Sequence, residues 1–112
     1  TGTLQLTTHP LDGNSPEDRN GVYLDRYSRK LPLTLRTVKQ GDRFAPFGMR
    51  GTKLVSDYLT DKKRNTAEKE QQLAVTDANG TIAWLVGGRP AAPFCVKEST
   101  KEVIHLIWIK QR

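Results

Sequence analysis

Apolar and polar residues alternate along much of the chain, the period-two pattern of half-buried strands. "TLQLTT" (Thr3 to Thr8) and "GVYLD" (Gly21 to Asp25) alternate cleanly, and the Pro, Gly, Asn and Asp residues of "HPLDGNSPEDRN" between them supply turn chemistry. They are expected to form an N-terminal hairpin with a long loop within residues 1–25. In "LPLTLRTV", Leu31, Leu33 and Leu35 fall on one face and Thr34 and Arg36 on the other. "QLAVTDANGTIAWLV" contains two β-rich runs joined across "DANG", where Asn79 and Gly80 tolerate positive φ, and predicts a second hairpin. "FCVK" and "EVIHLIWI" read as two closing strands, the last apolar on both sides as a central strand would be.

The period changes once. "TKLVSDYLTD" places Leu54, Val55, Tyr58 and Leu59 within about 140° of a helical wheel, with Thr52 as the expected N-cap. "NTAEKEQ" adds one further turn starting at Thr66, with Glu68 and Glu70 near its positive end. The fold class is therefore α+β, mainly antiparallel β, a β-sandwich-like domain with one short amphipathic helix. Internal repeats, low-complexity tracts and long linkers are missing, so residues 1–112 are read as one domain.

Composition bounds the chemistry. A chain of 112 residues with 36% hydrophobic content can bury one core without staples. The single Cys95 excludes an internal disulfide framework, and two distant histidines add no metal cluster, which points to a reducing, cytoplasmic compartment. No apolar run reaches the roughly 18 to 20 residues of a membrane span. The chain begins at Thr1 and its only methionine is Met49, so it is expected to be a piece of a longer polypeptide. Cys95 between Phe94 and Val96 reads as a packed thiol, and His105 in the most apolar strand as a structural histidine. Trp84 and Trp108 alternate with their strand neighbours as core residues do. Asp57 and Asp61 share a helix face, but Lys53, four residues before Asp57, makes a surface ion pair the better account. The glycines of "GDRFAPFGMRG" lack the Lys-Ser/Thr pair of a phosphate loop, and "VGGRP" is too short for a dinucleotide fingerprint. Nothing assembles an active site.

The net charge of +6 is unevenly placed. Residues 26–64 hold eleven Lys and Arg against three acids, a net +8, while the remainder holds seven against nine, a net −2. That segment contains "GDRFAPFGMRGTK", three glycines, two phenylalanines and a proline among basic residues. Such a loop entering a helix is expected to hold cations rigidly over a polyanion, with Phe44 and Phe47 buried beneath as anchors and Gly48 shaping the turn. Lys39, Arg43, Arg50 and Lys53 are the candidate phosphate contacts of the loop, and Lys62, Lys63 and Arg64 those following the helix. Cations without free aromatics favour contact with backbone and shape, as in recognition of a double-stranded RNA stem.

At these residues the chain resembles a known family. "PLTLRTVKQGDRFAPFGMRGTKLVSDYLTDKK", with "GTIAWLVGGR" and the terminal strand, resembles the C-terminal domain of bacterial tRNA(Ile)-lysidine synthetases over roughly Val22 to Ile109. Its most specific part is Gly41, Asp42, Arg43, Phe44, Pro46, Phe47 and Gly48 with Lys53, Leu54, Ser56, Asp57, Tyr58, Leu59 and Asp61; a second block is Ile82, Trp84, Gly87 and Arg89. The resemblance implies a domain shared with the phenylalanyl-tRNA synthetase β chain, contacting the acceptor-stem side of tRNA(Ile), with Arg89 as a further contact. It implies a full-length ligase that uses ATP, with Mg, and lysine to modify C2 of the wobble cytidine, turning an AUG-reading anticodon into one that reads AUA. The family's Ser-Gly-Gly-x-Asp-Ser signature is absent, so catalysis is expected in an upstream domain of the same polypeptide, with no cofactor in this part. The isolated domain is expected to be monomeric. The alternative from another class is a β-sandwich protein-interaction module whose basic face meets an acidic partner; a free-standing hydrolase is least favoured.

Overall fold

The computed structural model describes residues 2–10, 21–25, 32–96 and 100–110. Its organising element is β8 (Glu102–Lys110), which pairs antiparallel with β1 (Gly2–Pro10) on one edge and β2 (Gly21–Asp25) on the other, Leu106 lying opposite both Leu6 and Val22. A strand enclosed on both edges has no polar border to keep, and its Val103, Ile104 and Leu106 are all buried. The expected central position holds.

The N-terminal hairpin does not. Two strands antiparallel to the same neighbour run parallel to each other, so β1 and β2 cannot be a hairpin pair. Alternation specifies which face a strand buries and says nothing about its partner. The loop read between them, residues 11–20, lies outside the described residues, as do Leu31 and the cations Arg26, Arg29 and Lys30.

A second antiparallel sheet has the order β3-β6-β7, built from β3 (Thr34–Thr37), β6 (Leu73–Thr76) and β7 (Ile82–Leu85). β6 and β7 form the expected hairpin. Its turn is held by the Asp77 carboxylate, whose Oδ1 accepts from the backbone N–H groups of Asn79 (2.9 Å) and Thr81 (3.0 Å). Gly80, not Asn79, takes the positive φ, at +82°. Every residue of β7 is buried, although β7 closes its sheet, because the following segment returns along it and Ala91 N–H donates to Ala83 O at 2.8 Å. Trp84, fully enclosed, donates its indole N–H to Gly88 O at 3.0 Å. Residues from both sheets, Val22, Leu24, Ile104 and Leu106 with Ala74, Val75, Ile82 and Trp84, share one core, and Trp108 packs against it.

"FCVK" is not a strand. Ala92–Phe94 form a 3₁₀ turn, with Phe94 N–H bonded to Ala91 O, Cys95 follows it, and residues 97–99 lie outside the described residues. Pro90 and Pro93 supply no N–H to a ladder, which weakens a strand there. The Cys95 thiol donates to Ala92 O at 3.0 Å, a packing role.

Between β3 and β6 the chain inserts the two-residue strands β4 (Arg43–Phe44) and β5 (Lys53–Leu54) and the helices α1 (Val55–Asp61) and α2 (Thr66–Gln71). Val55 and Leu59 of α1 are buried and Tyr58 packs against the core, the stripe the periodicity predicts. α2 opens with a reciprocal capping box, Asn65 Oδ1 accepting from Glu68 N–H (2.8 Å) and Glu68 Oε1 from Asn65 N–H (3.0 Å).

The two phenylalanines of the loop divide. Phe44 is buried at 6% exposure with the Tyr58 ring edge-on at 4.9 Å, the anchor expected. Phe47 is 47% exposed, so it is not an anchor: it sits at the start of the turn ahead of Gly48 (φ +80°), where the chain bends away from the core. Replacing Phe44 by Ala should cost about 3 to 5 kcal/mol, whereas Phe47→Ala should cost less than about 1 kcal/mol. Paired urea titrations check the contrast, and equal losses would contradict this partition.

Candidate nucleic-acid interface

The basic loop begins at a carboxylate. Arg36 on β3 grips Asp42 bidentately, Nη1 to Oδ2 at 2.8 Å and Nη2 to Oδ1 at 3.1 Å, and Lys39 N–H donates to Asp42 Oδ2 at 2.7 Å. The Asp42 carbonyl accepts from Val55 N–H at 2.9 Å, so one residue ties the end of β3, the start of the loop and the first N–H of α1. The guanidinium hydrogen bonds hold the Asp42 carboxyl below the usual carboxylate range, and Asp42 in turn raises Arg36.

At the other end of the loop Arg43 donates from Nε to Thr52 Oγ1 (3.1 Å) and from Nη2 to Thr52 O (3.2 Å). Thr52 is therefore not the N-cap expected of it: its hydroxyl serves Arg43, and α1 starts after Leu54 with no side-chain cap. The first N–H of this seven-residue helix is taken by the Asp42 carbonyl. Lys53 pairs with Asp61 and not with Asp57, since it lies on β5, outside the helix, where i,i+4 spacing carries no meaning. Arg50 is exposed and makes no ion pair or hydrogen bond among the described residues, and the Lys39 side chain is likewise exposed.

After α1 the backbone closes a Schellman motif, with Lys63 N–H on Thr60 O and Arg64 N–H on Leu59 O, both 2.9 Å. Lys63 occupies the left-handed position at φ +62°, where glycine is the usual residue. Lys62, Lys63 and Arg64 are all exposed around this turn; Lys62 Nζ stands 5.5 Å from the Tyr58 ring centre, and Arg64 reaches Glu68 at 3.9 Å.

The structure brings part of the predicted set together and leaves part apart. Phe47, Lys62, Arg64 and Arg89 line one open groove of about 790 Å³, with Tyr58 and the edge of β2 also on its walls. Arg89 stacks over Phe47 at 5.1 Å. Arg43, Arg50, Lys53, Lys63 and Lys39 are not among the groove's lining residues. The groove went unseen in the sequence because Phe47 and Tyr58 read as core; a phenylalanine held between Pro46 and Gly48 was the available signal of exposure. Among the described residues no three His, Cys, Asp or Glu side chains gather as metal ligands, and no helix is long and apolar enough to cross a membrane.

The chain is 46% identical over 102 residues to a tRNA(Ile)-lysidine synthase of Parabacteroides distasonis, covering 91% of this chain and 23% of the relative. It is 38% identical to that of Bacteroides thetaiotaomicron (83% of this chain, 22% of the relative) and 42% identical to that of Bacillus subtilis (77% and 18%). The chain thus spans about a quarter or less of the length of these curated relatives. A solved structure described as the TilS C-terminal domain superposes with a TM-score of 0.80 at 24% identity, over 97% of this chain and 84% of that one, showing the same fold. No family model matches the chain.

Two measurements check the electrostatics and the strained turn. Because the folded Asp42 pKa is depressed, its contribution to stability is fully present above the ordinary carboxylate value of about 4 and is lost as pH falls through the lower folded value. Asp42→Asn should therefore destabilise the domain at neutral pH and flatten the acid limb of its stability profile; an unchanged limb would detach Asp42 from the loop's integrity. Lys63→Gly should raise stability by about 0.5 to 1 kcal/mol in a denaturant titration, since glycine takes the left-handed conformation freely.

Proposed function

We propose, from the premise that this chain belongs to the tRNA(Ile)-lysidine synthase family and has the fold of its C-terminal domain, that it is the tRNA-binding appendage of such an enzyme. The full-length ligase attaches lysine to C2 of the wobble cytidine of tRNA(Ile) at the expense of ATP, and that chemistry belongs to the part of the relatives that this chain does not span. The domain holds the tRNA on its acceptor-stem side in the cytoplasm while the catalytic domain of the same polypeptide works at the anticodon.

One observation carries this reading. The basic segment is folded into two fixed turns, the loop between β4 and β5 presenting Arg50 and the Schellman turn after α1 presenting Lys62, Lys63 and Arg64, each from a braced backbone. Arg36 and Asp42 neutralise each other, so the excess charge available to phosphates resides on Lys39, Arg50, Lys62 and Lys63, with Arg43 oriented by Thr52, Lys53 half engaged by Asp61, Arg64 near Glu68, and Arg89 across the groove. A braced backbone loses little conformational entropy on meeting a phosphate, and the counterions that the cations displace favour binding.

The test is a titration of tRNA(Ile) at several salt concentrations. Arg50→Gln and Lys63→Gln should each weaken binding and reduce the slope of log affinity against log salt by about one. Lys101→Gln, an exposed lysine outside the basic segment, should do much less. Equal losses from the two groups would point to diffuse charge and favour an acidic protein partner instead.

A further inference from the structure

The groove between the Schellman turn, the β7–Pro90 turn and the edge of β2 has a chemistry distinct from that of the exposed loop cations. Three cations line it, Lys62, Arg64 and Arg89, and no carboxylate does among the described residues. Two aromatic rings join them, Phe47 with nearly half its surface exposed and Tyr58, each already attended by a cation, Arg89 at 5.1 Å and Lys62 at 5.5 Å. The floor is apolar, with Leu59 and Leu85 in the lining, and Gly87 and Gly88 bring bare backbone to the wall; a side chain at Gly87 would meet nothing within 4 Å. A smaller cleft of about 270 Å³ adjoins it, sharing Arg64, Gln72 and Val86, with Glu68 and Trp108 also on its walls.

An occupant must be anionic, since the groove lining is net positive, with Glu68 at its margin facing Arg64; flat and polarisable, since the exposed Phe47 ring offers a face; and slender, since about 790 Å³ lies within the range of small-ligand clefts, about 300 to 1,000 Å³. A duplex meets the second and third requirements poorly, its bases being stacked on one another. A single strand meets all three, with bases on aromatic faces and phosphates on flanking cations. We propose that this groove is a binding site for a single-stranded segment of RNA, separate from the loop cations that meet a duplex backbone. Phe47 is the stacking platform, Arg89 holds it in place and contacts the adjoining phosphate, and Lys62 and Arg64 receive the next phosphates along the path. This rests on reading the chain as an RNA-binding domain, and it assigns a second class of RNA structure to a second surface.

The experiment titrates the whole chain with a short fluorescein-labelled single-stranded oligoribonucleotide of mixed sequence and, in parallel, with a blunt duplex of the same sequence, following anisotropy. The single strand should bind, and Phe47→Ala and Arg89→Gln should each weaken it by about fivefold or more, with Phe47→Ala leaving the thermal melt and duplex affinity nearly unchanged. Lys101→Gln serves as the matched charge control. If the duplex binds and the single strand does not, or if both groove variants bind the single strand as the parent does, the groove assignment is wrong while the tRNA reading stands. If neither RNA binds, both readings fall. Displacement of the single strand by an acidic peptide at equal concentration would also overturn the proposal, by showing a site for carboxylates.

Discussion

The basic loop depends on one carboxylate that the rest of the chain holds charged. Asp42 binds the Arg36 fork and the Lys39 N–H with its side chain and the α1 N-terminus with its carbonyl, so strand, loop and helix meet at a single residue. A partly buried bidentate pair of this kind is worth more than an exposed contact, and leaving either partner alone would be costly. It also removes one cation from the surface and thereby fixes where the remaining positive charge is offered. The Lys53–Asp61 pair is exposed and is better regarded as a local preference of two side chains than as a brace.

The same economy governs the aromatics. Phe44 and Tyr58 meet edge to face within the core margin, and Phe47, three residues after Phe44, is turned outward by a bend in which Gly48 adopts positive φ. One ring secures the loop and the other is left for contact. Arg89, arriving from the turn after β7, then stacks on the exposed ring, so two segments distant in sequence share one surface.

Local pattern carried much of this architecture. The β6–β7 hairpin, the enclosed last strand and the buried stripe of α1 were legible because each is dictated by period and by a turn whose chemistry is local. What was not legible shares a physical cause: competition for partners. Alternation in β1 and β2 could not reveal that both would choose β8. Thr52 had the right chemistry for a helix cap, but Arg43 on the facing strand claimed its hydroxyl. "FCVK" had strand composition, and the prolines around it denied the ladder its donors. The sequence gathers the cations into one segment, yet which are spent on neighbours and which are left exposed is a property of side-chain geometry. Charge counting treats Arg36 and Arg50 alike, whereas one is locked against Asp42 and the other is exposed.

The pairing of β8 has a consequence for the order of events during synthesis. Leu6 and Val22 both wait for Leu106, so the first sheet contains no local pairing at all among its described strands, whereas the β6–β7 hairpin can close as soon as Leu85 has emerged. Non-local pairings are slow because their loop entropy is lost before any contact rewards it. On a ribosome the hairpin sheet and its inserted helices would organise first, with β1 and β2 held as unpaired edges until the final strand threads between them. β8 is thus the clasp of β1 and β2.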